Sequence, residues 1–177
     1  AYGAAIHHAS ERNYRAALDM LGPTSEKYPQ HPWIGALHAE LELATGQGEA
    51  AIARYKALEE ANPGNLMIVY HAAEAYLELG MADQAKRELR YYLRRNPENY
   101  SLYRLLANTN IELGMLAEAH QAKAEFHALL GDYQTAVSIL KLALREAGDE
   151  GYLKTSIQAR LIEVEEKLRL QQSIRNG

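Results

Sequence analysis

The sequence predicts an all-α solenoid, helix pairs stacked in a right-handed superhelix, and three observations predict it. Alanines recur at one constant interval in two registers, Ala5, Ala39, Ala73 and Ala107 in one and Ala17, Ala51, Ala85 and Ala119 in the other. Glycines keep the same interval at Gly46, Gly80 and Gly114, and prolines keep it at Pro29, Pro63 and Pro97. A period of about 34 residues, with small residues held in phase, marks a two-helix unit that buries its apolar face only by stacking on copies of itself.

Each element follows from these positions. The first helix of each pair, A, is placed at about 2–10, 32–45, 66–79 and 100–113, and the second, B, at about 14–28, 48–61, 82–95 and 116–130. Ala39, Ala73 and Ala107 sit midway along A, and Ala51, Ala85 and Ala119 along B, where a small side chain lets the partner helix approach. Gly46, Gly80 and Gly114 close the A helices, because glycine takes the left-handed conformation that ends a helix. Pro63 and Pro97, each preceded by Asn, end the B helices, since the residue before proline is pushed out of helical space. Tyr55 and Leu89 fill the large apolar position of B. The first unit departs from the pattern: Arg12 stands where the others have glycine, and its A helix is short.

The repeat then slips by half a unit. Gly131 follows Gly114 after only half the interval, and Ala124, Gly131, Ala136 and Leu140 restart the small, turn, small and large positions. The segment 116–130 therefore serves as helix B of the fourth unit and helix A of a fifth. Its alanines, with Phe126 and Leu129, leave it apolar on more than one face, as suits a helix between two neighbours. Lys123, at the large apolar position, disagrees. After 133–147 and a turn at AGDEG, Leu153, Ile157, Leu161, Val164 and Leu168 form one stripe of a capping helix. The expected layout is a repeat array over 1–150 followed by the capping helix over 151–177. The array has units at about 1–31, 32–65, 66–99 and 100–131, and a half-repeat to 148, about four and a half repeats in all.

Composition narrows the chemistry. The 177 residues are 47% hydrophobic and carry a formal charge of −4, which argues against nucleic acid, whose binders present a dense basic face. There is no cysteine, so thiolate zinc sites, disulfides and a Cys nucleophile are excluded. No apolar run reaches the ~18–20 residues a membrane span needs. The chain opens within a repeat, with neither an initiator Met nor a signal-peptide pattern, and reads as a piece of something longer.

The repeats resemble tetratricopeptide repeats (TPRs). The whole chain resembles the C-terminal TPR domain of bacterial periplasmic zinc metallopeptidases. That resemblance is carried by Tyr2-Gly3 entering the first helix, by the half-repeat Ala124-Glu125, Ala128-Leu129, Gly131, Ala136 and Leu140, and by Gln158-Ala159-Arg160 in the final helix. It implies a periplasmic protein-interaction module that presents substrate or partner to a protease domain, in outer-membrane protein assembly and quality control. The implied partners are that protease domain, the outer-membrane assembly machinery and misfolded barrel substrates. Zinc is implied for the parent protease domain and no cofactor for this chain. The H-E-x-x-H zinc signature is absent here: His38 is followed by Ala-Glu and His71 by Ala-Ala-Glu. No catalytic or metal-binding residue is therefore expected in this chain. The alternative is a free-standing TPR adaptor or co-chaperone with no enzyme attached.

In a TPR array the A helices line the inner groove. The candidate partner-binding residues are Trp33, Leu37 and Glu40, then Met67, Tyr70, His71 and Glu74, then Arg104 and Asn108, with Glu125 from the shared helix. Apolar and aromatic groups beside a few charges suit an extended peptide, anchored by the former and oriented by the latter. The competing reading is that Trp33, Leu37 and Leu105 pack between helices. Only Arg104 and Asn108 suit a terminal carboxylate, which Glu40 and Glu74 would repel. The basic run Lys86, Arg87, Arg90, Arg94 and Arg95 reads as a solvated face partly balanced by Glu88. His120 and His127, two turns apart, are too distant to share one ion.

Overall fold

The computed structural model describes residues 1–148 and 151–176. Ten helices account for nearly all of them. They are α1 (Tyr2–Ser10), α2 (Tyr14–Lys27), α3 (Pro32–Ala44), α4 (Gly48–Ala61), α5 (Leu66–Glu78), α6 (Ala82–Leu93), α7 (Tyr100–Glu112), α8 (Leu116–Leu129), α9 (Tyr133–Glu146) and α10 (Gly151–Asn176). There is no strand among the described residues. The first eight helices fall within two residues of the bounds the period predicts. Asp149 and Glu150, inside the expected AGDEG turn, lie outside the described residues.

The A-helix ends share one geometry. Gly46, Gly80, Gly114 and Gly131 all have positive φ, between 70° and 82°. At each, the glycine N–H and the next N–H bond back into the last turn, as in Gly80 N to Leu77 O at 2.9 Å and Met81 N to Tyr76 O at 2.8 Å. This paired closure satisfies carbonyls that would otherwise be orphaned. Arg12 makes the same closure without being glycine: its φ is +60°, and Asn13 N bonds His8 O at 2.8 Å. A side chain in the left-handed region is strained by about 1–2 kcal/mol. Arg12→Gly is therefore expected to raise stability by about 0.5–1 kcal/mol after the added flexibility of the unfolded chain is offset. A denaturant titration showing no gain would contradict this.

Two of the B helices, α4 and α6, are closed by asparagine side chains. Asn62 Nδ2 donates to Leu58 O at 3.0 Å and Asn96 Nδ2 donates to Tyr92 O at 3.0 Å, at matching positions of successive repeats. The next helices start on Asn65 and Asn99, whose Oδ1 atoms accept backbone N–H groups of α5 and α7. In α2 the helix runs on through Pro23, as the placement at about 14–28 requires.

The chain divides into two compact units, Ala1–Met81 and Ala82–Gly177. In the first, α1 to α5 pack each on the next, and α3 also meets α5. Ala5, Ala17, Ala39, Ala51 and Ala73 are all fully buried, which is the close helix approach the small positions require. Tyr55 and Leu58 fill the space beside them, at 2% and 1% exposure. In the second unit α6 to α10 follow one another in the same way. Here α8 packs on both α7 and α9, burying Ala117, Ala119, Ala122, Ala124 and Ala128 around its circumference. Lys123 points to solvent. On α10 the apolar stripe closes the array: Ile157 and Val164 are fully buried, and Leu153, Leu161 and Leu168 pack beside them against α9. Burying each such side chain stabilises the unit by about 1.5–3 kcal/mol.

Candidate functional site

In the first unit the A-helix face is built by α3 and α5. Pro32 begins α3 at a position where its missing N–H costs nothing, and the next residue, Trp33, is left 61% exposed. Leu37 is half-buried against the core of α1 and α2, so it is chiefly a packing residue. Glu40 on α3 meets His71 on α5: His71 Nδ1 lies 3.2 Å from Glu40 and 3.5 Å from Glu74. The Tyr70 ring stands edge-on to His71 at 5.6 Å, and Met67 is half-buried one turn earlier. Burial pushes the Glu40 carboxyl above its ordinary range; His71 opposes the shift, while Glu74 and Glu78 add to it. The two carboxylates converge on a single imidazole nitrogen, and no set of side chains fit to hold a metal forms among the described residues. The face is thus acidic and aromatic. It suits a partner segment bearing a cation or N–H donors beside an apolar group.

One cluster in this unit was not visible in the sequence. Glu42, only 5% exposed, is held in a two-pronged bond by Arg54 of α4, at 2.9 and 2.7 Å. His38 Nε2 lies 3.5 Å from Glu42 and 3.4 Å from Arg54. Burial, and then the Arg54 charge, lower the His38 pKa from its ordinary 6.5, against smaller opposing effects of Glu42 and Glu26. As pH falls the unfolded chain then takes up this proton before the folded one does. The stability His38 contributes is full above 6.5 and is lost as pH drops through the lowered folded value. Thermal unfolding between about pH 7 and pH 5 is expected to shift downward, and His38→Leu to flatten that shift. An equally steep curve for the variant would contradict this.

In the second unit Arg104 and Asn108 lie one turn apart on the exposed side of α7, while Leu105 is buried at 4% exposure and serves the core. Glu125 is already engaged. Arg160 of α10 grips both its oxygens, at 2.8 and 2.7 Å, and Gln121 Nε2 donates to Ser156 Oγ at 3.2 Å. Burial works against the Arg160 charge, but hydrogen bonds to Glu125 and Glu163 outweigh it and push its pKa up further. The start of the capping helix therefore lies along the very register of α8 that the half-repeat assigns to the groove. Just past the end of α6, Arg95 and Arg94 of the basic run stack over the Tyr91 ring at 4.0 and 5.8 Å.

The same pairing of helices is found in known proteins. A family model described as "Tetratricopeptide repeat" matches residues 42–91. Among solved structures, MamA from Desulfovibrio magneticus RS-1 superposes with a TM-score of 0.60 at 14% identity, covering 93% of this chain and 92% of that one. TTC0263, a thermophilic TPR protein of Thermus thermophilus, superposes with a TM-score of 0.56 at 22% identity, covering 91% and 97%. The fold is that of the tetratricopeptide repeat. In sequence, this TPR domain is 28% identical over 142 residues to the beta-barrel assembly-enhancing protease of Escherichia coli K12, covering 80% of this chain. The chain spans 29% of the length of the curated relatives it matches. No described helix is long and apolar enough to cross a membrane.

Proposed function

We propose that this TPR domain is the partner-binding part of a periplasmic zinc metalloprotease acting in outer-membrane protein assembly and quality control. On this reading the A-helix faces hold a segment of a misfolded barrel protein or of the assembly machinery, and the protease domain, elsewhere in the parent, holds the zinc and does the cutting. The observation that carries the reading is the 28% identity over 142 residues to the beta-barrel assembly-enhancing protease of Escherichia coli K12. The faces themselves agree with it: Trp33, Met67, Tyr70, His71, Glu40 and Glu74 in one unit, and Arg104 and Asn108 in the other, combine aromatic anchors with orienting charges. Leu37 and Glu125 enter as supports, one packed in the core and one held by Arg160.

Deletion in the parent protein tests this. An H-E-x-x-H helix is expected in the parent, and removal of residues 1–177 should change which proteins are cut while cleavage of a short peptide persists. A parent lacking that motif would overturn the reading in favour of a free-standing adaptor.

A further inference from the structure

Within the second unit, α6, α7, α8 and the beginning of α10 surround a cavity of about 400 Å³, within the roughly 300–1,000 Å³ of ligand pockets. Asn110 of α7 lines it while being only 2% exposed, and its Oδ1 has no hydrogen-bond partner among the described residues. Buried polar groups are almost always paired, so an unpaired one asks for an explanation. The repeat makes Asn110 stand out further. Glu42, Tyr76 and Asn110 occupy the same register of successive repeats, and Glu42 has Arg54 as its partner. The Asn110 Oδ1 is thereby available to accept a hydrogen bond from an occupant.

Four charged side chains line the cavity, Lys86, Arg90, Glu118 and Glu125, and three of them are engaged in ion pairs. Lys86 lies 3.9 Å from Glu118, and Glu125 is held by Arg160. Arg90, one turn beyond Lys86 on α6, lines the cavity and makes no ion pair with any described residue. Among the described residues its guanidinium is thus the one charged group of the lining without an ion-pair partner. Leu106 and Leu153 supply apolar surface to the same lining.

We propose that this cavity is a second binding site, separate from the exposed positions of α3, α5 and α7, for a short peptide stretch in which a carboxylate neighbours an apolar side chain. Arg90 takes the carboxylate as a fork of two N–H donors, Leu106 and Leu153 take the apolar group, and Asn110 bonds a peptide amide. The sequence offered Arg104 and Asn108 for a carboxylate; the cavity uses neither. The half-repeat slip makes the site, because it turns the groove register of α8 toward the capping helix.

The test is a titration of the ¹⁵N-labelled full chain, followed by NMR, with three probes. These are acetyl-Leu-Glu-Leu-amide, its Gln counterpart, and acetyl-Leu-Leu with a free C-terminus. At least one acid probe is expected to shift the Asn110 side-chain amide and the Arg90 Nε–H signals, with the Gln probe about tenfold weaker. Tighter binding of the Glu probe assigns the carboxylate to an internal side chain, and tighter binding of the free acid assigns it to a chain end. Arg90→Gln, at an exposed and unpaired position, should leave the fold intact and lower affinity about tenfold. Asn110→Leu should do the same if it folds. No shift with either acid probe, equal binding of the Gln probe, or full binding by Arg90→Gln would overturn the proposal, whether or not the A-helix faces bind a partner.

Discussion

Replacing Arg54 with Ala is expected to cost about 3 kcal/mol, or roughly 6–12 °C in the unfolding midpoint. The reason is what remains. Glu42, only 5% exposed in the intact chain, loses both its hydrogen bonds to Arg54 and keeps His38 as its neighbour. An uncompensated carboxylate in that position is far more costly than the intact pair was stabilising. The double change Glu42→Leu with Arg54→Met removes both charges and should recover most of the loss. If Arg54→Ala proved as stable as the unaltered chain, the cluster would be ornamental to the fold.

Arg160→Ala is the second large effect, expected at about 2–3 kcal/mol and confined to α10 and its contacts. Arg160 bridges Glu125 on α8 and Glu163 on its own helix, and the Glu125 side chain retains only 16% of its exposure. Losing Arg160 leaves that carboxylate facing the cavity without its partner. The apolar stripe through Ile157 and Val164 still holds α10 on α9, so the outcome is local loosening rather than global unfolding. Hydrogen exchange should speed up in the first turns of α10 and remain slow in α7. Unchanged protection along α10 would show that the stripe alone fixes the cap.

The alanine and glycine registers made the helices legible because backbone approach and helix closure each accept few residue types. The same logic flagged Arg12 as the misfit, and its positive φ is the physical consequence. Polar residues at buried positions were a different matter. Glu42 and Asn110 look in sequence like members of a solvated face, and only the crossing of α3 with α4, or α7 with α8, reveals that their register is interior. Glu125 was legible as a groove residue but not as the partner of Arg160, which is distant in sequence and reaches it only because α10 folds back along α8. Trp33 and Leu37, one helical turn apart, read alike in sequence. The structure separates them, with the indole 61% exposed and the leucine packed on α1 and α2.

The A-helix faces are, on this reading, the surfaces that hold a partner. Calorimetric titration of the chain with a urea-unfolded outer-membrane β-barrel protein tests this most directly, comparing Tyr70→Ala and Arg104→Ala with Arg94→Glu just past the end of α6. Binding by the unaltered chain is expected, with roughly tenfold or greater weakening by each alanine change and little effect of Arg94→Glu. Full binding by both alanine variants together with its loss in Arg94→Glu would contradict it.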